Sequence, residues 1–400
     1  MKKRFKLFSL CFLLIGLCPL LSALDFGLLL TQDAGYGGTG KEGYFDYSIS
    51  AVPRMTALVG RTGNFTITGS FEADYNGGWD YAPELLKTGF SFYPGGWAFE
   101  AGRMYQIDPL GYVAEGIFDG VKIAYSSEAG TFSAGAWYTG LLFKKRAIIA
   151  MTSGESKAND TPVDFNDFME TYFAPKRFLG AFGWEHLGLA VRTKLSFLGQ
   201  FDFFSDEPLN SQYAILKFTI PIKAVSFGLG GCFELLQSGG EFRTAFAAEA
   251  GIAIEPPTRF KNRISLLARY TSGEDGSGQM TAFLPFTTES QGEILGAKLS
   301  GLAMAQLDYL ARIHRTCSIK LNASYFIRND FVTFSGYPLS AGSGNGKFLG
   351  SEFFGRFIWS PVSDLMLNLG GGAFLPSLGD AAVSAKNKWR AEISAVMSLY

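Results

Sequence analysis

Residues 189–203 read Leu189-Ala190-Val191-Arg192-Thr193-Lys194-Leu195-Ser196-Phe197-Leu198-Gly199-Gln200-Phe201-Asp202-Phe203. The odd positions are mostly oily: Leu189, Val191, Leu195, Phe197, Phe201 and Phe203. The even positions include Arg192, Lys194, Ser196, Gln200 and Asp202. Side chains alternate faces along a strand, so the stretch makes one oily and one wet face. Its length exceeds the roughly 5–6 residues of a strand in a soluble protein and reaches the roughly 9–11 that cross a bilayer at a tilt. A soluble β-sandwich also alternates, but with shorter strands.

The pattern recurs. Over 241–254, Phe242, Phe246, Ile252 and Ile254 oppose Glu241, Arg243 and Glu249. Over 263–270, Ile264, Leu266 and Tyr270 oppose Arg263 and Arg269. Over 317–328, Ile319, Leu321, Tyr325 and Ile327 oppose Lys320 and Arg328.

Short breaks fall at 62–63, 94–95, 126–130, 188, 221, 255–258, 315 and 361–362. Longer polar breaks fall at 33–42, 74–84, 106–116, 144–176, 205–210, 237–240, 272–290, 329–347 and 375–387. The two classes alternate along the chain, as short periplasmic turns and long external loops do in outer-membrane barrels. The segments between them predict an all-β fold: a closed antiparallel transmembrane β-barrel of about 18 strands. Sixteen is the alternative, because 293–313 must form one strand for the higher count. Pro53 inside the second strand predicts a bulge or an early strand end. The 144–176 loop reads as a solvated outer loop, with folding into the lumen as the alternative.

Composition agrees. The chain has 400 residues, of which 49 are Gly, 38 Phe and 17 Tyr, and mean hydropathy is +0.13. Aromatic residues favour strands and glycine favours tight turns. Lys2, Lys3, Arg4 and Lys6, the apolar run 7–21 and the small Ala23 form the three-part layout of a secretory signal. Residues 1–23 are therefore expected to be a cleaved leader and 24–400 a single barrel domain, destined for the cell outer membrane. Past the leader no apolar run is long enough for a transmembrane helix.

The whole chain carries 35 basic and 36 acidic residues, and losing the leader removes four of the basic ones. That balance argues against nucleic acid as a partner. Cys232 and Cys317 make neither a disulfide framework nor a zinc motif, and strand parity sets Cys317 toward lipid. The glycines of 35–40 satisfy a dinucleotide-binding pattern, but strand rather than helix follows them, so a flexible loop is expected. His186 and His314 lie near short turns with no serine signature beside them, so no enzyme, no metal and no cofactor are expected. Trp97, Phe99, Trp137, Tyr138, Trp184, Trp359 and Trp389 fit the interfacial aromatic girdles.

The wet-face charges are the functional candidates. Arg192, Lys194, Asp202, Glu241, Arg243, Glu249, Arg263, Arg269, Lys320 and Arg328 are expected to line a lumen. Charged rings in a hydrated passage set ion preference, and mixed signs on the same faces predict weak selectivity. The expected activity is passive diffusion of small hydrophilic solutes or ions. The alternative is a structural or adhesive barrel that binds ligands through long external loops. The expected partners are outer-membrane lipid, the solutes themselves and the barrel-assembly machinery.

Three stretches resemble the alginate-export type of bacterial outer-membrane porin. Glu100-Ala101-Gly102-Arg103 precedes Phe118-Asp119-Gly120-Val121. Ala268-Arg269-Tyr270 leads into Ser272-Gly273-Glu274-Asp275-Gly276 and then Leu284-Pro285-Phe286. Gly350-Ser351-Glu352 precedes Gly372-Ala373-Phe374-Leu375-Pro376. The resemblance implies a monomeric 18-stranded barrel passing anionic or neutral solutes. That family's alginate channel is densely lined with arginine, whereas the wet faces here mix both signs. The C-terminal apolar parity of Ile393, Ala395, Met397 and Leu399 is also out of step with Tyr400.

Overall fold

A computed structural model describes residues 21–188, 190–205, 207–274, 280–333, 337–339 and 346–399. The expected leader up to residue 20, Leu189, Asp275, Gly276 and Tyr400 lie outside the described residues. Eighteen strands form one antiparallel sheet. They are β1 Leu21–Thr39, β2 Glu42–Val59, β3 Gly63–Tyr75, β4 Trp79–Phe92, β5 Trp97–Ile107, β6 Glu115–Ser127, β7 Gly130–Tyr138, β8 Phe178–Leu187 and β9 Arg192–Phe201. Then come β10 Leu209–Ile222, β11 Val225–Ser238, β12 Glu241–Ile254, β13 Arg263–Thr271, β14 Leu302–Ala311, β15 Cys317–Arg328, β16 Phe348–Val362, β17 Leu365–Leu375 and β18 Lys388–Leu399. Each strand pairs with its neighbour in the chain. The ring closes through β1 and β18, in register from Leu28↔Leu399 to Thr39↔Lys388.

Parity sets the two faces as the sequence alternation requires. Phe71, Phe182, Phe197, Phe233, Phe246, Leu266, Leu321, Phe353, Leu369 and Ile393 are all exposed on the outer face. So continuous an apolar belt is not tolerated in water and suits hydrocarbon. Closure pairs the strand edges around the ring, as a bilayer core demands. Aromatic residues ring the long-loop end, where Tyr47, Tyr75, Trp79 and Tyr81 form a chain of contacts at 5.5–6.3 Å. At the short-turn end Trp97 meets Phe99 at 6.0 Å and Tyr125 at 4.6 Å. Trp137 leaves this pattern: it is buried in the interior, because its parity on β7 is the inward one.

Several boundaries correct the sequence reading. The breaks expected at 33–42 and 74–84 are mostly strand: Thr39 pairs with Glu42 and Tyr75 with Trp79, so each turn is only two or three residues. Polar side chains there face the lumen, which mimics a loop in sequence. The glycines 35–39 belong to β1 and not to a flexible loop. Pro221 lies inside β10, and the turn follows at 223–224. Residues 293–313 are not one strand: β14 starts at Leu302, and the preceding segment is part of a long inward loop. Pro53 sits where the β2–β3 ladder is interrupted between Ala51 and Arg54, at no loss of register.

Candidate solute passage

The long loops fold into the barrel, including the one expected to be solvated. Loop 108–114, loop 139–177 and loop 272–301 supply Leu110, Tyr112, Leu142, Ile149, Phe283 and Phe286 to one apolar cluster. The inward faces of β5 to β12 supply Phe118, Trp137, Leu198, Tyr213 and Ile215. A second cluster joins Ile294, Leu295 and Leu339 to Leu302, Phe326, Phe354 and Phe374 of β14 to β17. Burying one such Leu or Phe side chain contributes about 1.5–3 kcal/mol, so the loops are held as firmly as a small domain core.

Buried carboxylates pin the loop backbones. Asp108 accepts N–H bonds from Leu110, Gly111, Val113 and Ala114 at 2.7–3.1 Å. Burial raises its pKa, and those four bonds oppose the shift. Glu352, fully buried on β16, accepts from Glu293 at 2.6 Å, Ile294 at 3.0 Å and Leu295 at 2.7 Å. Thr152 and Glu155 form a capping box that starts helix α1, Ser153–Asp160. The other oxygen of Glu155 holds the buried Arg177 at 2.7 Å, and Arg177 also donates to Gln200 at 2.8 Å. Helix and barrel rim are thereby one unit.

The wall has a seam between β4 and β5. β4 and β5 pair only from Thr88↔Arg103 to Phe92↔Phe99, so the rest of β4 pairs with β3 alone. An open edge at membrane depth must be covered. Tyr172 donates its hydroxyl to Pro83 O at 2.6 Å, and burial pushes its pKa up to about 12, keeping it a donor. Arg103 caps Leu85 O, reaches Leu141 O at 2.8 Å, and is held bidentately by Asp119 at 2.8 and 2.7 Å. Phe143 stacks on Tyr172 at 4.9 Å, and the two pack with Ala82. Gly102 sits at this departure point with φ +114, and any Cβ would collide with Thr88 O.

Among the described residues, none of β18, β1, β2 or β3 belongs to either large apolar cluster. Their inward faces, with those of β4 and β15 to β16, carry charges linked in a chain. Lys320 meets loop residue Glu293 at 3.9 Å. Glu293 meets Arg356 at 3.5 Å, Arg356 meets Glu392 at 2.6 Å, and Glu392 meets Arg390 at 3.2 Å. Arg390 in turn holds Asp46 bidentately at 2.9 Å. From the loop, Arg146 reaches Glu72 at 2.8 Å and Glu84 at 3.1 Å, and Lys145 pairs with Asp80.

These pairs step over a strand, and glycine makes the step possible. Arg356 and Glu392 flank Gly370 in register, where a Cβ would lie 2.9 Å from Glu392 Cγ. Lys217 and Glu249, paired at 2.9 Å, flank Gly230, where a Cβ would lie 3.1 Å from Glu249 Cγ. A Cβ on Gly35 would collide with both Asp46 and Arg390. The space over Gly35, and not nucleotide binding, accounts for this part of the glycine-rich stretch.

The ten residues singled out from sequence fall in three places. Arg192 and Arg263 lie at the short-turn end, Arg263 beside Glu255 at 3.6 Å, and Lys194 pairs with Glu185 at 3.0 Å. Asp202, Glu241 and Arg243 lie at the long-loop rim: Asp202 caps the turn at Phe204 and Ser205, and Arg243 pairs with Glu241 at 3.2 Å. Glu249, Arg269, Lys320 and Arg328 lie along the inward faces of β12, β13 and β15, Arg328 at the long-loop end. Arg269 meets Glu249 at 3.3 Å and lies over the Tyr112 ring at 4.7 Å. Arg328 is buried, donating to Gly346 O at 2.8 Å. Glu249 and Arg269 therefore lie against loop residues, and of the ten only Lys320 joins the charged chain. Asp46, Glu72, Glu84, Arg146, Glu293, Arg356, Arg390 and Glu392 were missed. For Arg356 and Glu392 the available signal was an inward-parity glycine, Gly370, in register between opposite charges two strands apart.

A closed barrel with an oily exterior, loops folded inward and a charged interior arc is the architecture of an outer-membrane porin. No family model matches the chain, and no curated protein matches it either. Solved structures do. Pseudomonas aeruginosa OccK2 (OpdF) in complex with glucuronate is 11% identical, with TM-score 0.63 over 95% of this chain and 100% of that one. The P. aeruginosa outer membrane protein OpdK is 10% identical, with TM-score 0.61 over 95% and 100%. OccK5 (OpdH) of the same organism is 11% identical, with TM-score 0.60 over 94% and 99%. The likeness is one of fold: it reaches outer-membrane porin barrels as a class and does not single out the alginate-export type.

Proposed function

We propose that this chain is an outer-membrane channel for passive diffusion of small hydrophilic solutes or ions. The observation that carries this is the arc of paired charges on the inner wall from β15 through β18 to β4, of which β18 and β1 to β3 lie outside both large apolar clusters. Fixed charges of both signs in a hydrated passage favour permeation with weak ion selectivity. An adhesive barrel fits less well, because the three loops that feed the first apolar cluster turn inward.

The reading extends to a leader cleaved after Ala23, insertion by the barrel-assembly machinery, a monomeric barrel, and no enzymatic activity. The ten candidates act here as rim, anchor and lining residues. The alginate-export assignment rests on the three sequence stretches alone, and the mixed-sign arc speaks against a polyanion as large as alginate. One neighbour was solved with glucuronate, so small uronates are the first solutes to try.

The test is conductance of the refolded protein in a planar bilayer, with reversal potentials in a salt gradient. Stepwise openings with a reversal potential near zero are expected. A folded, heat-modifiable barrel that inserts yet conducts nothing would overturn the proposal.

A further inference from the structure

The charge at the short-turn end is unevenly placed. Turn 255–262, between β12 and β13, and turn 312–316, between β14 and β15, lie side by side, joined by Arg312 N–H donating to Phe260 O at 2.8 Å. Between them is a hollow of about 430 Å³ lined by Arg259, Lys261, Arg312, Ile313, His314 and Arg315. The other six short turns together carry only Arg61 and Lys223 as cations.

Within these two turns the only carboxylate is Glu255, and its ion pair is with Arg263 at 3.6 Å. Among the described residues no carboxylate pairs with Arg259, Lys261, Arg312 or Arg315. Two of these cations are held in place. Arg312 donates to Arg315 O at 2.6 Å, and the Arg259 guanidinium lies over the Phe260 ring at 4.5 Å. Among the described residues Arg259 has no protein acceptor, and Arg312 has donors to spare. Gathering like charges around one hollow is unfavourable unless an anion shares it. Guanidinium groups suit phosphate, because their forked donors meet two of its oxygens at once. The exposed apolar pair Ile254 and Ile264 flanks turn 255–262 at the edge of the lipid-facing belt, and the exposed Ile313 is in the lining of the hollow.

We propose that this hollow is a binding site for a phosphate anion, supplied by the headgroup of an adjoining membrane phospholipid or by free phosphate. The site is separate from the solute passage. Each cation near an anionic headgroup contributes about fivefold in affinity.

The experiment uses the full mature chain in neutral detergent and three probes: phosphatidylglycerol, diacylglycerol of the same chains, and inorganic phosphate. Lipid adducts are read by native mass spectrometry, and phosphate by phosphorus NMR line broadening. Lys261→Gln/Arg312→Gln/Arg315→Gln is compared with Arg61→Gln/Lys223→Gln as a charge control on other turns. The triple variant is expected to lose on the order of a hundredfold in phosphatidylglycerol affinity, or to abolish phosphate broadening, while the control retains both. Which of the two probes responds identifies the source. If the triple variant fails to fold, Arg315→Gln alone must weaken binding about fivefold. Equal binding of diacylglycerol, or unchanged phosphatidylglycerol and phosphate signals in a folded variant, overturns the proposal.

Discussion

Replacing Arg146 by Gln removes one positive charge from the passage and leaves Glu72 and Glu84 without the cation they share at 2.8 and 3.1 Å. The size of the effect follows from Coulomb's law. A permeating ion about 5 Å from that position feels the lost charge by about 0.8 kcal/mol in water. Mobile salt at 0.1 M, with a screening length of about 10 Å, trims this to about 0.5 kcal/mol. A barrier change of that range eases each cation about two- to fourfold and hinders each anion as much, so cation permeability relative to anions rises about five- to sixteenfold. In a tenfold potassium chloride gradient the reversal potential should then move by about 30–45 mV in the cation-selective direction. The assay is the planar-bilayer recording, with Arg61→Gln on a short turn as the control that should not move. An unmoved reversal potential in a folded Arg146→Gln barrel, or a shift toward anions, would refute the view that this arc lines the conducting path.

Glu352→Ala strips three backbone N–H groups of their acceptor; at about 1–3 kcal/mol each, the loss should undock residues 293–295, raising conductance and channel noise and opening loop 272–301 to protease. Retained protease protection with wild-type current would count against Glu352 as the anchor. Gly102→Val cannot keep a φ of +114 or clear Thr88 O, so heat-modifiable mobility should be lost; Gly35→Ala meets only the ends of Asp46 and Arg390 and should fold with a stability loss under about 1 kcal/mol. Asp330 links the loops at 272–301 and 329–347. Burial alone would raise its pKa, but hydrogen bonds from the Thr333 hydroxyl and the N–H groups of Thr333, Glu274 and Val332 outweigh this and hold the carboxyl below its ordinary 3.8. The stabilisation is therefore complete above pH 3.8 and fades as pH falls through the lower folded value. Proteolysis of these loops by an acid-active protease should quicken below that pH in the wild type, and Asp330→Asn, already lacking the anion, should show no such step.

The alternation read over 189–203, 241–254, 263–270 and 317–328 was enough to specify strands, their faces and the barrel, because a lipid-facing strand must be oily on every second residue. Alternation of short and long connections pointed to about 18 strands with 16 still open, and the structure has 18. The same signal misread 33–42 and 74–84, since lumen-facing polar residues in a strand look like loop residues. It also could not say where the 139–177 and 272–301 loops go. Sequence shows that Asp108, Glu352, Arg177 and Tyr172 exist, but their value lies in which backbone groups they meet, up to 89 residues away for Tyr172 and Pro83. The passage was likewise decided in three dimensions. An ion pair such as Arg390 with Asp46 joins residues 344 apart and exists only because the ring closes β18 onto β1 and leaves room over Gly35. Local periodicity fixes which way a side chain points. Only closure of the sheet and docking of the loops decide what it points at, because those contacts depend on register across strands distant in the chain.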